Sequence, residues 1–180
     1  MRYVLVCIIK GEAAKLNEKL AFEVKSKFNA RRSKLPPHFT IKAPFETSEE
    51  NIYELKEVLE KFRCRFNAEK MSIDGFSSFR KDVVYMKVNL SREGKEVHDQ
   101  VIDELKRLKW LQWKNNEGKD KVFHCTIVSK KVKEHFDEIL THVKNYECNY
   151  KCYFDNISLY KWNVNKWEID KEYNLTKVEE

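Results

Sequence analysis

His38-Phe39-Thr40-Ile41 and His124-Cys125-Thr126-Ile127 stand 86 residues apart in a chain of 180, and the reading of these two tetrapeptides decides the fold. Side chains two apart on a strand share a face. His38 therefore aligns with Thr40 and His124 with Thr126, while Phe39, Ile41, Cys125 and Ile127 turn the other way toward a core. The chain holds five histidines and five threonines. Chance places a threonine two positions after a given histidine in about 3% of cases, and two such coincidences in one chain in somewhat under roughly 1% of shuffles.

Working outward, the same order of elements surrounds both tetrapeptides. Tyr3 to Ile9 reads as a strand, and Leu16, Leu20, Val24 and Phe28 recur at i+4 along a helix ending near Arg31. Pro36 and Pro37 then force extended chain before the strand His38 to Ala43. Ser48 is placed to cap a second helix carrying Ile52, Leu55, Leu59 and Phe62, and Phe66 to Ile73 follows as a strand. The second half repeats this: a strand at Val83 to Leu90, Ser91 as a cap, a helix with Val97, Val101, Leu105 and Leu108, a strand at Val122 to Val128, and a helix through Val132, Phe136, Ile139, Leu140 and Val143. Strands near Cys148 to Tyr160 and Lys166 to Leu175 end the pattern. Corresponding elements lie roughly 80 to 86 positions apart, the mark of a duplication. In sequence order each tetrapeptide occupies the middle strand of its half.

Halves of this kind cannot bury their apolar faces alone, and antiparallel sheets with helices on one side meet that need. The expected fold is α+β: two pseudo-symmetric lobes, each an antiparallel sheet with helices on its outer face, around a central cleft carrying the two His-x-Thr motifs. One bilobal domain spans 1–180, with approximate lobes 1–80 and 81–180 and room for strand exchange between them.

Composition agrees with a single core. Hydrophobic residues make up 42% and charged residues 36%, with 11 Phe, 8 Tyr and 4 Trp, which excludes disordered and collagen-like chains. The longest uncharged apolar stretch, Tyr3 to Ile9, has seven residues, against the roughly 20 a membrane-spanning helix requires. It reads as a strand rather than a leader peptide, and the expected setting is cytoplasmic, without membrane association. Five cysteines, an odd number scattered through apolar surroundings, read as reduced thiols. On a strand Cys148 and Cys152 sit about 13 Å apart, too far to share a zinc ion. The net charge of +6 is spread along the chain, with one local concentration at Arg31, Arg32 and Lys34. The expected state is a monomer.

Two histidine-threonine pairs related by a pseudo-twofold axis can enclose one small group, most economically a phosphate. Hydrolysis of a phosphodiester needs a base for the proton of water and an acid for the leaving oxygen, and histidine serves either role near neutral pH. Threonine hydroxyls can donate to the nonbridging oxygens as charge develops. Neither a metal nor a cofactor is expected. Lys42 falls on the strand face of His38 and Thr40 and is placed to add positive charge beside the phosphate; the equivalent position in the second half is Val128.

His38-Phe39-Thr40-Ile41 followed by Lys42-Ala43-Pro44-Phe45, together with His124-Cys125-Thr126-Ile127 and the element order of nearly the whole chain, resembles the two-histidine phosphoesterases, and within them the small bacterial 2′-5′ RNA ligase-like proteins. The resemblance implies His38 and His124 as the catalytic pair and Thr40 and Thr126 as phosphate ligands. It implies a metal-independent phosphodiesterase acting on 2′,3′-cyclic phosphate ends of RNA or on small cyclic nucleotides, leaving a 2′-phosphate, with RNA ends or small nucleotides as partners. The alternatives are RNA end joining through a 2′-5′ linkage and a nonenzymatic RNA-end or nucleotide binder that uses the basic loop. Cys125 departs from the aliphatic residue usual in the motif. Phe45, Phe79, Tyr85, Tyr160 and Trp167 are candidates for a base-stacking ring. His98, His135 and His142 lie on helix patterns and read as surface residues.

Overall fold

β1 (Arg2–Ile8) is buried along nearly its whole length, because it carries apolar side chains on both faces and lies inside a sheet rather than at its rim. Tyr3, Leu5 and Cys7 enter the main core, whereas Val4 and Val6 join a smaller cluster with Leu35 and Tyr160 on the opposite face. β2 (His38–Glu46) pairs antiparallel with one side of β1, and β7 (Asn156–Asn163) with the other. β8 (Lys166–Asn174) completes the order β2-β1-β7-β8. The second sheet comprises β3 (Glu69–Phe79), β4 (Val83–Leu90), β5 (His124–Val128) and β6 (Asn149–Phe154), in the order β5-β4-β3-β6. This computed structural model describes residues 1–176.

The two orders are equivalent. In each sheet the motif strand lies at an edge, beside the strand that precedes it in sequence, so the strand that is central in sequence order is peripheral in space. The expected α+β class and its pair of antiparallel sheets are found. The chain passes between the sheets twice, through α2 (Glu49–Arg63) and again at Asp155, where the apolar stretch Cys148 to Tyr160 divides into two strands belonging to different sheets.

Helix boundaries follow local chemistry. α1 (Gly11–Phe28) ends at Asn29, whose left-handed backbone (φ 53°) closes the helix through a bond from its N–H to the Lys25 carbonyl. Ser48 and Ser91 cap α2 and α3 (Arg92–Lys106): their hydroxyls accept from the N–H groups of Asn51 at 3.3 Å and Gly94 at 3.0 Å. A 3₁₀ turn (Lys133–His135) leads into α4 (Phe136–Lys144). No helix among the described residues is long and apolar enough to cross a membrane.

β3 differs most from its sequence reading. It begins at Glu69 and runs to Phe79 rather than covering Phe66 to Ile73. A bulge between Ile73 and Phe76 carries pairing past Gly75 (φ +74°), where a β-carbon would lie 3.0 Å from the Lys87 side chain. The serines beyond the bulge conceal this extension from an apolar-periodicity reading.

Candidate active site

β2 and β5 alternate as two-faced strands should. Phe39, Ile41, Cys125 and Ile127 are essentially inaccessible, whereas His38, Thr40, His124 and Thr126 are partly exposed. Cys125, the departure from the motif, faces the core, and burial pushes its thiol up to about 12. The alternation slips after Ile41: Ile41 and Lys42 are both buried, at an irregularity in the β1–β2 register between Leu5 and Val6. That slip turns Lys42 away from the histidine face. Its ammonium lies 2.6 Å from Glu117 Oε2 and 5.0 Å from the Trp113 ring centroid, with side chains 3% and 6% exposed in the ion pair. The structure therefore does not bring Lys42 to His38 and Thr40, and its charge is met by Glu117.

The two histidines are held alike. His38 Nδ1–H donates to the Pro36 carbonyl oxygen at 2.6 Å, and His124 Nδ1–H to that of Val122 at 2.9 Å. A carbonyl can only accept, so each bond places the proton on Nδ1 and leaves Nε2 with its lone pair. Burial pulls the His38 pKa down to about 4; the Pro36 bond opposes this, and Arg32 and His124 add to it. His124 is lowered in the same direction, by burial first and then by Lys121, against its bond to Val122. Phe79 meets the His124 ring edge-on at 4.8 Å and Tyr85 lies at 5.3 Å, so two of the aromatic candidates brace this histidine. Phe45 packs between Tyr3 and Trp110, and Tyr160 is buried in the smaller cluster.

Two cavities meet at Thr40. One, of about 580 Å³, includes His38, Thr40, Arg32 and Trp167; the other, of about 550 Å³, includes Thr40, Phe79, Lys121 and His124. Thr126 lines neither, although it shares its strand face with His124.

Edge strands leave backbone groups unpaired, and here each motif strand is covered by a cation from the other half. Lys121 Nζ donates to the carbonyl oxygens of Thr40 at 2.7 Å and Ile41 at 2.9 Å, while Arg32 Nη1 donates to that of Thr126 at 3.3 Å and to the Asn17 side chain. Burial draws the Lys121 pKa down to about 8, with Glu117 opposing and Lys42 assisting. The loops are also stitched directly: Arg31 N–H donates to the Lys130 carbonyl at 2.9 Å, and the N–H groups of Ser129 and Lys130 donate to that of Arg31. The sequence reading found Arg32 only as part of a basic loop and missed Lys121. Its position three residues before His124 was the available signal.

The other histidines are distributed differently. His135 is half-buried beside Glu138, and His142 is largely covered, with Nε2 2.8 Å from Glu23. His98 is fully buried rather than superficial, since the i+4 spacing that aligns Val97, Val101 and Leu105 also aligns His98 with Ile102. No group of three or more His, Cys, Asp or Glu side chains among the described residues could hold a metal ion.

Comparison with known proteins extends this picture. The family model of the 2′-5′ RNA ligase superfamily matches residues 11–166. A protein of Oceanobacillus iheyensis named as a phosphoesterase is 24% identical over 155 residues, 84% of this chain and 87% of that protein. Among solved structures, the TT0787 protein of Thermus thermophilus superposes with a TM-score of 0.70 at 11% identity, covering 98% of this chain and 99% of that one. E. coli LigT complexed with 3′-AMP superposes with a TM-score of 0.63 at 16% identity, covering 97% and 98%.

Proposed function

We propose that this chain, which belongs to the 2′-5′ RNA ligase superfamily, is a phosphodiesterase that opens 2′,3′-cyclic phosphate ends of RNA or small cyclic nucleotides by paired-histidine acid/base catalysis. The observation that carries the reading is the matched fixing of His38 and His124 through Nδ1, which leaves Nε2 of each ring without a protein partner among the described residues, with Thr40 lining both the cavity of His38 and that of His124.

With the cyclic phosphate between them, the neutral imidazole takes a proton from water as its oxygen attacks phosphorus. The protonated imidazole gives its proton to the departing 3′ oxygen, and the product is a 2′-phosphate. Thr40 and Thr126 donate hydrogen bonds to the nonbridging oxygens, where charge builds. His38 is assigned the base because burial and Arg32 keep its ring unprotonated down to about pH 4. His124 then acts as the acid. A 5′-hydroxyl in place of water turns the same displacement into formation of a 2′-5′ linkage, the reading favoured by the family's name.

The test is hydrolysis of nucleoside 2′,3′-cyclic phosphates and of an RNA oligomer with a cyclic end, in EDTA, by wild type, His38→Ala and His124→Ala. Turnover abolished by both substitutions, with a 2′-phosphate product, is the expected result. Full activity in both variants overturns the reading.

A further inference from the structure

β2 and β5 lie at the edges of different sheets, and among the described residues no backbone hydrogen bond joins them. Two cations bridge them instead. Lys121, in the approach to β5, donates to the carbonyl oxygens of Thr40 and Ile41, and Arg32, in the approach to β2, donates to that of Thr126. Each half thus supplies the cation that holds the other half's threonine. Consecutive carbonyls of a regular strand point to opposite sides. Two of them meet one ammonium here because Val6 pairs with Thr40 and Leu5 with Lys42, which leaves Ile41 as the extra residue of a bulge.

A fold that needed only its edge carbonyls paired could use a neutral donor. Lys121 instead brings a positive charge, half-buried, with no carboxylate in ion-pair range among the described residues. Glu117 of the same loop attracts it but is already paired with Lys42, while Lys42 on β2 and Lys95 on α3 repel it. Its charge also disfavours the protonated forms of His98 on α3 and of His124. The remaining neighbours of His124 on β4 are Lys87, its cross-strand partner, and Tyr85. Arg32 stands in the same relation to His38, whose protonated form it disfavours. Such crowding of positive charge is unfavourable in the free protein and is relieved when an anion enters beside it. Lys121, Thr40 and His124 line one cavity.

We infer that Lys121 is a positioning residue for the phosphodiesterase reaction proposed above, locking the Thr40 strand to the His124 strand so that hydroxyl and imidazole address the same phosphate, with Arg32 as its mirror. The carbonyl bonds place Thr40, and the charge makes His124 a readier proton donor. Lys121 acts through these two groups and not on phosphorus.

The experiment measures kcat, KM and the pH profile for cytidine 2′,3′-cyclic phosphate with wild type, Lys121→Met and Lys121→Arg. Lys121→Met should lower kcat by about ten- to hundredfold, the scale for a displacement of about 1 Å, with KM within about threefold. It should also move the alkaline limb of kcat/KM to higher pH, because His124 then keeps its proton longer. Lys121→Arg retains charge and donors and should stay within about fivefold of wild-type kcat with its limb unmoved. If Lys121→Met does not fold, Lys121→Gln, which removes the charge and stays polar, should show the same shift of the limb. Wild-type kcat in the uncharged variant, or a loss of kcat with the limb unmoved, overturns the inference and leaves the phosphodiesterase reading intact. Two readouts need no substrate: the NMR titration of His124 and hydrogen exchange over residues 38–43. In the uncharged variant the titration should move to higher pH and the exchange should quicken. Both changes in a protein that hydrolyses no cyclic phosphate keep the lock and remove the reaction; neither change removes the lock whatever the activity.

Discussion

His38 and His124 are oriented by one device used twice: each ring donates through Nδ1 to the carbonyl oxygen two residues before it, Pro36 at 2.6 Å and Val122 at 2.9 Å. Both contacts are local in sequence, so the residue two positions before each tetrapeptide is what fixes the tautomer. Removing either ring should lower kcat/KM for a cyclic phosphate by about 10² to 10⁴, the range for losing a positioned acid or base. Thr40→Val and Thr126→Val, which lose only a donor, should cost on the order of 10² in kcat. Steady-state kinetics on variants with wild-type melting temperatures decides this, and a Thr126→Val enzyme with unchanged kcat would remove that hydroxyl from the reaction.

Burial of the two rings, which outweighs those bonds, predicts an acid-shifted pH profile. kcat/KM reports the free protein, in which His38 loses its proton at about 4 and His124 is lowered below the ordinary histidine value. With His38 as base, activity rises as pH climbs through about 4; with His124 as acid, it falls as His124 deprotonates below 6.5. The maximum therefore lies on the acid side of neutrality. A bound phosphate favours both imidazolium forms and moves the kcat profile upward relative to kcat/KM. Rates across pH 3.5 to 9 test it, and a plateau extending unchanged above pH 8 would contradict an acid role for His124.

The sequence made the motif faces and the order of elements legible because strand alternation and serine caps are local signals: Phe39, Ile41, Cys125 and Ile127 all point inward, and Ser48 and Ser91 both accept a capping N–H. Pairing between sheets was not legible. That Asp155 parts two strands of different sheets, or that Lys121 reaches the Thr40 carbonyl 81 residues away, depends on long-range packing that no short window records. Lys42 shows how a local rule fails: strict alternation puts it beside the histidines, and one bulge turns it inward.

Lys42 and Glu117 form a buried ion pair at 2.6 Å, and removing one partner strands the other's charge. Lys42→Met should destabilise the fold by about 3 to 5 kcal/mol, and adding Glu117→Gln should restore most of it. Since Lys42 lines neither cavity and Glu117 lines only the one beside His124, the double variant should keep kcat within a few-fold of wild type. Urea unfolding and cyclic phosphate hydrolysis on the same preparations check both halves. A stable double variant that has lost turnover would return Lys42 to the phosphate.

His98 links stability to pH. The ring is fully buried against Phe123 at 4.7 Å, its Nδ1 lies 3.2 Å from Asp99 Oδ1, and its Nε2 has no hydrogen-bond partner among the described residues. Burial, then Lys121, pulls its pKa down to about 4, with Asp99 opposing. Above pH 6.5 the ring is neutral in both folded and unfolded chains and adds no pH dependence. As pH falls from 6.5 toward 4 the unfolded chain takes a proton that the folded one refuses, so stability drops, by about 3 kcal/mol at the lower end at 1.36 kcal/mol per pKa unit. Carboxylates held low by cations, such as Glu60 at about 2 beside Arg63 and Lys171, respond only at lower pH and leave this window to the buried histidines. His98→Phe removes both the titration and the unpartnered nitrogen, so it should match or exceed wild-type stability at pH 7. It should also lose less on acidification to pH 4.5, with His38 and His124 supplying the slope that remains. Urea denaturation of both proteins at pH 7.5 and 4.5 measures the difference, and parallel losses would show that His98 protonates freely in the folded chain.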